Sequence, residues 1–270
     1  MLTTTYGTGE LILHAIEHGY REFIIGIGGS ATNDAGLGML QALGFRFYDQ
    51  NGEILGKGGQ ILDQIVAIDF SSVHPALKDA RFTIACDVRN PFSGPEGAAY
   101  VFARQKGADG AMIEKLDAGM KRFSRLIHST TGREITEVAG AGAAGGLGGA
   151  FLAFLNAELK PGIELLLRTL KFDEKIKDAD LIITGEGRVD RQSVMGKVPF
   201  GILEEANKQG IPVIVVAGSI ADTEVLNKAG FRGIFSIVPS PMSLEVAMKP
   251  EAAKNNISRT VAQIISLATL

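Results

Sequence analysis

The chain's 34 glycines fall in clusters, several at the ends of short apolar runs, and that pattern narrows the folds open to it. Phe23-Ile24-Ile25 runs into Gly26-Ile27-Gly28-Gly29, and Leu181-Ile182-Ile183-Thr184 runs into Gly185-Glu186-Gly187. A third cluster spans Gly140 to Gly149. Glycine tolerates positive φ and places no Cβ between the backbone and whatever lies beside it. Short apolar runs bounded by such turns read as buried strands.

Between the glycine clusters the sequence alternates strand and helix patterns. Helices are expected over Thr8 to Gly19, from about Asn33 to Leu43, and from an Asp109 cap through Leu116, Met120, Phe123 and Ile127 to Gly132. Strands are expected at Phe45–Tyr48, Val66–Asp69 and Phe82–Cys86, with a tight turn at Asn51-Gly52. From about Asp180 the order becomes regular, with strands at Leu181, Val213 and Ile234 and helices after Pro199, Asp222 and Pro250. Alternation of that kind implies an α/β protein with a parallel sheet covered on both faces. Two domains are expected, a mixed α/β region over residues 1–172 and a doubly wound region over 173–270.

Charge excludes some partners. Lys and Arg total 27 against 30 Asp and Glu, a formal net charge of −3, which gives no basic footprint for nucleic acid or an anionic membrane. A single cysteine, Cys86, leaves no internal disulfide and points to a reducing, cytoplasmic setting. No run reaches the roughly 18 apolar residues of a membrane span. Met1-Leu2-Thr3-Thr4-Thr5 has none of the basic and apolar character of a signal peptide.

Gly26-x-Gly28-x-x-Ala31 sits between a strand and an expected helix, with Asp49 about 20 residues on, the spacing of a dinucleotide fingerprint. Against a bare pyrophosphate stands Asp34, an anion in or beside the first helical turn. A metal ion between Asp34 and phosphates reverses that sign. The loop therefore suits a metal-bridged phosphate or a neutral polyol, or is simply a tight turn with Asn33 or Asp34 as cap. Gly140-x-Gly142-x-x-Gly145 fits the same spacing and reads equally well as close backbone packing. No Walker A loop is present, so any ATP site is built differently.

Thr184 to Ser193 crowds Glu186, Arg188, Asp190 and Arg191 behind a strand, where open α/β sheets bind ligands. Phosphoryl transfer needs cations on the phosphates, a carboxylate for Mg²⁺, and a group to orient or deprotonate the attacking hydroxyl. Arg188 and Lys197 suit the first need, Glu186 the second and Asp190 the third. Asp87 and Asn90 add an acid and an amide at the end of another strand. Cys86 reads as a small buried apolar residue, and the four histidines, His14, His18, His74 and His128, lack a metal-ligand pattern.

The segments GIGGSATNDAG with GMLQALG, CDVRNPFSGPEGAAYVFARQKGA, GAGAAGGLGGA with LKPGIELLL, and ADLIITGEGRVDRQSVMGKVP resemble the type-1 glycerate kinases. The match runs in order over nearly the whole chain. It departs at Ala35, where glycine is expected, and at Arg191, where a small polar residue is commoner. The resemblance implies a flavodoxin-like doubly wound domain beside a second, mixed α/β domain, with Mg²⁺-ATP and D-glycerate as reactants and no nucleic acid or membrane partner. By motif it implies that Ser30, Thr32, Asn33, Asp34, Asp87, Asn90, Glu186, Arg188, Asp190 and Lys197 face the active site, and Gly28, Gly29, Ser30, Thr32, Asn33, Asp87, Asn90, Gly185 and Gly187 are expected to bind substrate or nucleotide. On the physical reading of their chemistry, Asp34 and Glu186 are expected at the metal, Arg188 and Lys197 at the phosphates, and Asp190 at the attacking hydroxyl. Family members begin with a strand and an Asp-Ser-Phe-Lys-type loop, followed by an Asp-Gly-Gly-Glu-Gly-type loop, and this sequence contains neither. The expectation is a chain lacking that N-terminal segment, with an unpaired sheet edge, weakly active or inactive and prone to associate. A non-catalytic remnant of the fold and a nicotinamide-dependent oxidoreductase are the competing readings.

Overall fold

In the computed structural model, which describes residues 1–191 and 198–268, the chain divides into two compact units, Met1–Gly162 and Ile163–Leu270. The α/β class read from the sequence stands: both units are built on parallel sheets.

The first unit contains α1 (Tyr6–Glu17), β1 (Glu22–Gly26), α2 (Leu37–Ala42), β2 (Arg46–Tyr48), β3 (Ala67–Asp69), β4 (Arg81–Ala85), α3 (Ala98–Phe102), α4 (Gly110–Thr131), α5 (Ala143–Phe154) and β5 (Glu158–Lys160). Its main sheet has the order β1-β4-β5, all parallel, with Phe23 beside Phe82 and Ile84 beside Leu159. β2 and β3 pair separately and antiparallel, Phe47 opposite Ile68. The long helix α4 buries Ile113, Leu116, Met120, Phe123 and Ile127, a stripe at helical spacing. Asp109 accepts a hydrogen bond from the Met112 N–H at 2.8 Å, and Gly132 closes the helix at φ 73°. The sequence signals for both ends were correct.

The helix expected from Asn33 begins only at Leu37. Ala35 and Gly36 are both left-handed, with φ 51° and 76°, and the Ala35 N–H donates to the Gly145 carbonyl at 3.0 Å. The Ala35 N–H is thus held by a tertiary partner, while the Gly36 N–H turns back onto the Asp34 carboxylate at 3.2 Å, and the helix starts only after both. α5 is likewise interrupted, with Ala144, Gly145 and Gly146 left-handed at its start.

The second unit contains α6 (Gly162–Thr169), which starts at the boundary, then α7 (Phe172–Lys175), β6 (Ile182–Val189), α8 (Val198–Asn207), β7 (Val213–Ile220), α9 (Thr223–Ala229), β8 (Gly233–Ser236), α10 (Leu244–Ala247) and α11 (Pro250–Ala268). β6, β7 and β8 are parallel and consecutive. Val213, Val215 and Ala217 pack toward Leu203 and Ala206 of α8 and Leu226 of α9. Ile214 and Val216 point the other way, onto Ile264 of α11. Helices therefore cover both faces, as alternation along the sequence required.

β6 is longer than expected, because its pairing with β7 continues through Glu186↔Ala217 and Arg188↔Ser219 to Val189↔Ile220. Gly185-Glu186-Gly187 thus lies within a strand. Ile182 and Val189 are an odd number of residues apart yet pack on the same cluster, as do their partners Val213 and Ile220. Strict alternation puts such pairs on opposite faces. Both strands roll over together across Gly185, Gly187 and Gly218. At Gly218 a Cβ would come within 2.9 Å of the Gly187 carbonyl oxygen.

Candidate active site

In each unit a hollow opens where the parallel strands end. In the first, Ile27 to Ser30 follow β1 and Ala85 to Val88 follow β4, two neighbouring strands. Phe102, Gln105, Lys106, Ala143 and Ala144 complete the walls of a cavity of about 210 Å³. The expected binding residues Gly28, Gly29, Ser30 and Asp87 therefore come together here. A Cβ on Gly28 or Gly29 would meet nothing within 4 Å, so their backbone faces open space, and Gly29 is left-handed at φ 66°. Asp87 is exposed, and one of its oxygens accepts the Gly162 N–H at 2.8 Å.

Lys106 is the cation of this hollow, and the sequence reading passed over it. Its Nζ donates to Ser30 Oγ at 2.8 Å and to the Thr32 carbonyl at 2.7 Å. Burial pushes its pKa below the usual lysine value, and the charge of Asp34 partly offsets that. The residue lies in the quoted segment ending ARQKGA, but only its tertiary contacts with Ser30 and Thr32 mark it out. Cys86 also lines the hollow; burial raises its thiol pKa, so it has the character of a protonated thiol rather than a nucleophile.

Four expected residues do not line this hollow. Asp34 is completely buried, and its carboxylate accepts four hydrogen bonds, from the N–H and hydroxyl of Thr5 and from the N–H groups of Gly36 and Gly38. Asn33 is buried, with Nδ2 on the Met120 sulfur at 3.5 Å and, among the described residues, no hydrogen bond to Oδ1. Thr32 contributes its carbonyl to Lys106. Asn90 donates to the Glu96 carbonyl at 2.8 Å, and its own carbonyl accepts the Gly142 N–H at 3.0 Å. The second glycine cluster packs the same region: a Cβ on Gly145 would strike the Thr32 carbonyl, and one on Gly142 the Pro91 carbonyl. Gly140-x-Gly142-x-x-Gly145 is a close-packing device.

The nicotinamide fingerprint lacks its structural context. No helix opens after Gly28 until Leu37, and Asp49 accepts the N–H groups of Asn51 and Glu53 in its own turn. The strand it closes pairs with β3, outside the sheet that holds β1.

In the second unit Gly185, Glu186, Gly187 and Arg188 of β6, Gly218 and Ser219 of β7, and Ile237 and Val238 after β8 line a hollow of about 1110 Å³. α10 and α11 close it with apolar side chains, among them Leu244, Met248, Ile257 and Val261. Arg188 Nε pairs with Asp190 Oδ2 at 3.1 Å, and the Arg191 N–H donates to Asp222 at 3.2 Å. Among the described residues no hydrogen bond or ion pair holds the Glu186 carboxylate, which is half-buried at this wall. Lys197 lies outside the described residues. Also among the described residues, no group of three or more His, Cys, Asp or Glu could hold a metal by itself, and no helix is long and apolar enough to cross a membrane.

Comparison with known proteins agrees with this architecture. The sequence matches the model of the glycerate kinase family over residues 1–269. It is 47% identical over 262 residues to a glycerate kinase of Halalkalibacterium halodurans, covering 95% of this chain and 69% of that protein. It is 47% identical over 260 residues to the glycerate 2-kinase of Escherichia coli K12, covering 96% of this chain and 68% of that one. A crystal structure from Salmonella typhimurium LT2, assigned to glycerate kinase 2, superposes with a TM-score of 0.82 at 42% identity, over 99% of this chain and 70% of the other. The kinase reading thus stands over the nicotinamide one. On the strength of a match that runs through both units and all the glycine-rich strand ends, this chain belongs to the glycerate kinase family.

Proposed function

We propose that the chain transfers the γ-phosphoryl of ATP to a hydroxyl of D-glycerate in the presence of Mg²⁺. The observation that carries this is a small hollow at the ends of β1 and β4, lined by open glycine backbone, Ser30, Asp87 and Lys106 beside apolar side chains, in a chain of this family. Its volume is below the roughly 300–1,000 Å³ of pockets for drug-sized ligands, which suits a three-carbon acid.

Gly28 and Gly29 offer open backbone to the substrate, and Asp87 offers a carboxylate acceptor to its hydroxyls. Asp34 and Asn33 we assign to holding the turn that carries Ser30 and Thr32. In the second unit, the apolar walls of the larger hollow suit the base and sugar of a nucleotide, and the Gly185-Glu186-Gly187 backbone and Arg188 suit its phosphates. Lys197 keeps the role of a second phosphate cation read from the sequence, and Asp190 that of orienting or deprotonating the attacking hydroxyl.

Glu186 fits a magnesium ion. This residue lines the hollow, its carboxylate has no protein partner among the described residues, and Mg²⁺ is commonly held by one or two carboxylates plus phosphates and water. Bound there, the ion would neutralise charge on the transferring phosphoryl group.

A turnover assay with ATP, Mg²⁺ and D-glycerate, its product identified by phosphorus NMR, tests the proposal. Formation of a phosphoglycerate supports it. ATP consumption indifferent to glycerate, or none at all, refutes it and favours a non-catalytic form of the fold.

A further inference from the structure

We infer that Lys106 binds the carboxylate of the hydroxy-acid substrate in the hollow at the ends of β1 and β4. This rests on reading that hollow as the glycerate site.

The first reason is an unbalanced charge. Lys106 is half-buried, and its two contacts, the Ser30 hydroxyl and the Thr32 carbonyl, are both neutral. Among the described residues no carboxylate forms an ion pair with it; Asp34 acts on it only as a more distant charge. A cation withdrawn from water without a direct counterion is costly, and an anion arriving in the hollow offsets that cost.

The second reason is direction. An ammonium group has three donors, and Ser30 and Thr32 occupy two. The residue lines the hollow beside Gly28 and Gly29, whose missing side chains leave room for a ligand to approach. The two fixed contacts also hold Nζ in place before a ligand arrives, which reduces the entropy lost on binding.

The third reason is the match to a hydroxy acid. The same walls present one cation, Lys106, and one carboxylate, Asp87, which is itself anchored by the Gly162 N–H. A molecule with a carboxylate at one end and hydroxyls along its carbons satisfies both. A simple anion without a hydroxyl, such as sulfate, has no donor to offer Asp87.

The test uses the full chain. Lys106→Met is expected to weaken D-glycerate binding, followed by calorimetry, by roughly tenfold or more, as loss of a charged hydrogen bond implies. The KM for ATP should stay within about twofold. Since the same lysine ties Ser30 to Thr32, a second measurement avoids mutation. Wild-type protein is acylated with an amine-reactive ester, and the rate at Lys106 is read by peptide mass spectrometry. D-glycerate should slow that rate severalfold, while glyceramide, its neutral amide, should not. Unchanged glycerate affinity in Lys106→Met overturns the assignment, as does wild-type glycerate binding without protection of Lys106. Protection by ATP alone also overturns it, in favour of a phosphate contact. If the wild-type protein binds no glycerate, the reading of the hollow falls together with this assignment. If phosphoglycerate forms while Lys106 stays unprotected, only this assignment falls.

Discussion

The Asp34 carboxylate accepts both the backbone N–H of Thr5, at 2.7 Å, and the Thr5 hydroxyl, at 3.0 Å. The same hydroxyl accepts the Met39 N–H at 2.9 Å, so one buried pair joins the start of α1 to the first turns of α2. Gly9 and Gly38 let those helices approach closely, since a Cβ on Gly9 would meet the Met39 carbonyl and one on Gly38 the Thr4 hydroxyl.

Asp34→Ala should therefore destabilise the first unit. Removing the acceptor strands the N–H groups of Thr5, Gly36 and Gly38 in the interior, at a cost of at least about 2–3 kcal/mol. Urea unfolding followed by circular dichroism should show an earlier transition. An unchanged midpoint contradicts the structural role given to this carboxylate.

Gly145→Ala should be damaging although it adds one methyl group. Gly145 is left-handed at φ 69°, and the new Cβ would run into the Thr32 carbonyl, an acceptor for Lys106. A loss of about 1–3 kcal/mol is expected, accompanied by weaker glycerate binding. A variant as stable as the parent with intact binding argues against the packing described for this cluster.

Arg188→Met and Asp190→Asn should separate chemistry from stability. The Arg188 side chain is 67% exposed although its partner Asp190 is only 17% exposed, so water screens the arginine end of the pair and its loss should cost on the order of 1 kcal/mol. Loss of Arg188 should lower kcat/KM for ATP by about a hundredfold, with a melting temperature near the parent's. Loss of the Asp190 carboxylate should lower kcat by about 10²–10⁴. Steady-state kinetics with both variants decides, and near-parental rates in either remove that residue from the mechanism.

Cys86 provides a pH-dependent reporter, because the chain has no other thiol. Burial, reinforced by the negative charge of Asp87, holds its pKa above the ordinary thiol range. Reaction with a disulfide reagent at pH 8 should be slower than for a free thiol and should quicken as pH rises past that range. The linkage has a definite sign. The contribution to stability is fully present below the unfolded thiol pKa and is lost as pH rises through the higher folded value. Glycerate should slow the reaction, since Cys86 lines the hollow.

Much of the architecture was legible because local signals agreed with tertiary packing. Asp109 and Gly132 bounded α4, and the apolar runs at Phe23, Phe82 and Val213 became parallel strands. What escaped depended on distant partners. β5 is three residues long and carries Glu158 and Lys160, so nothing in it reads as a strand until β4 lies alongside. Gly185 to Gly187 looked like a loop because glycine weakens a strand signal, while the pairing that keeps them extended comes from β7. At the site, Gly28, Gly29, Ser30 and Asp87 could be read from their positions behind strands. Lys106 could not, because its partners are more than 70 residues away. Asp34 looked available to a metal because burial and the donors of Thr5 are invisible in a linear pattern.

The matched rollover of β6 and β7 has a consequence for how such sequences can vary. Val189 and Ile220 reach the same cluster as Ile182 and Val213 only because both strands turn through the same step. Removing one residue between Thr184 and Val189 alone would slip the ladder and present Val189 to the wrong side. Insertions and deletions in these two segments should therefore be tolerated only in pairs, one compensating the other across the sheet.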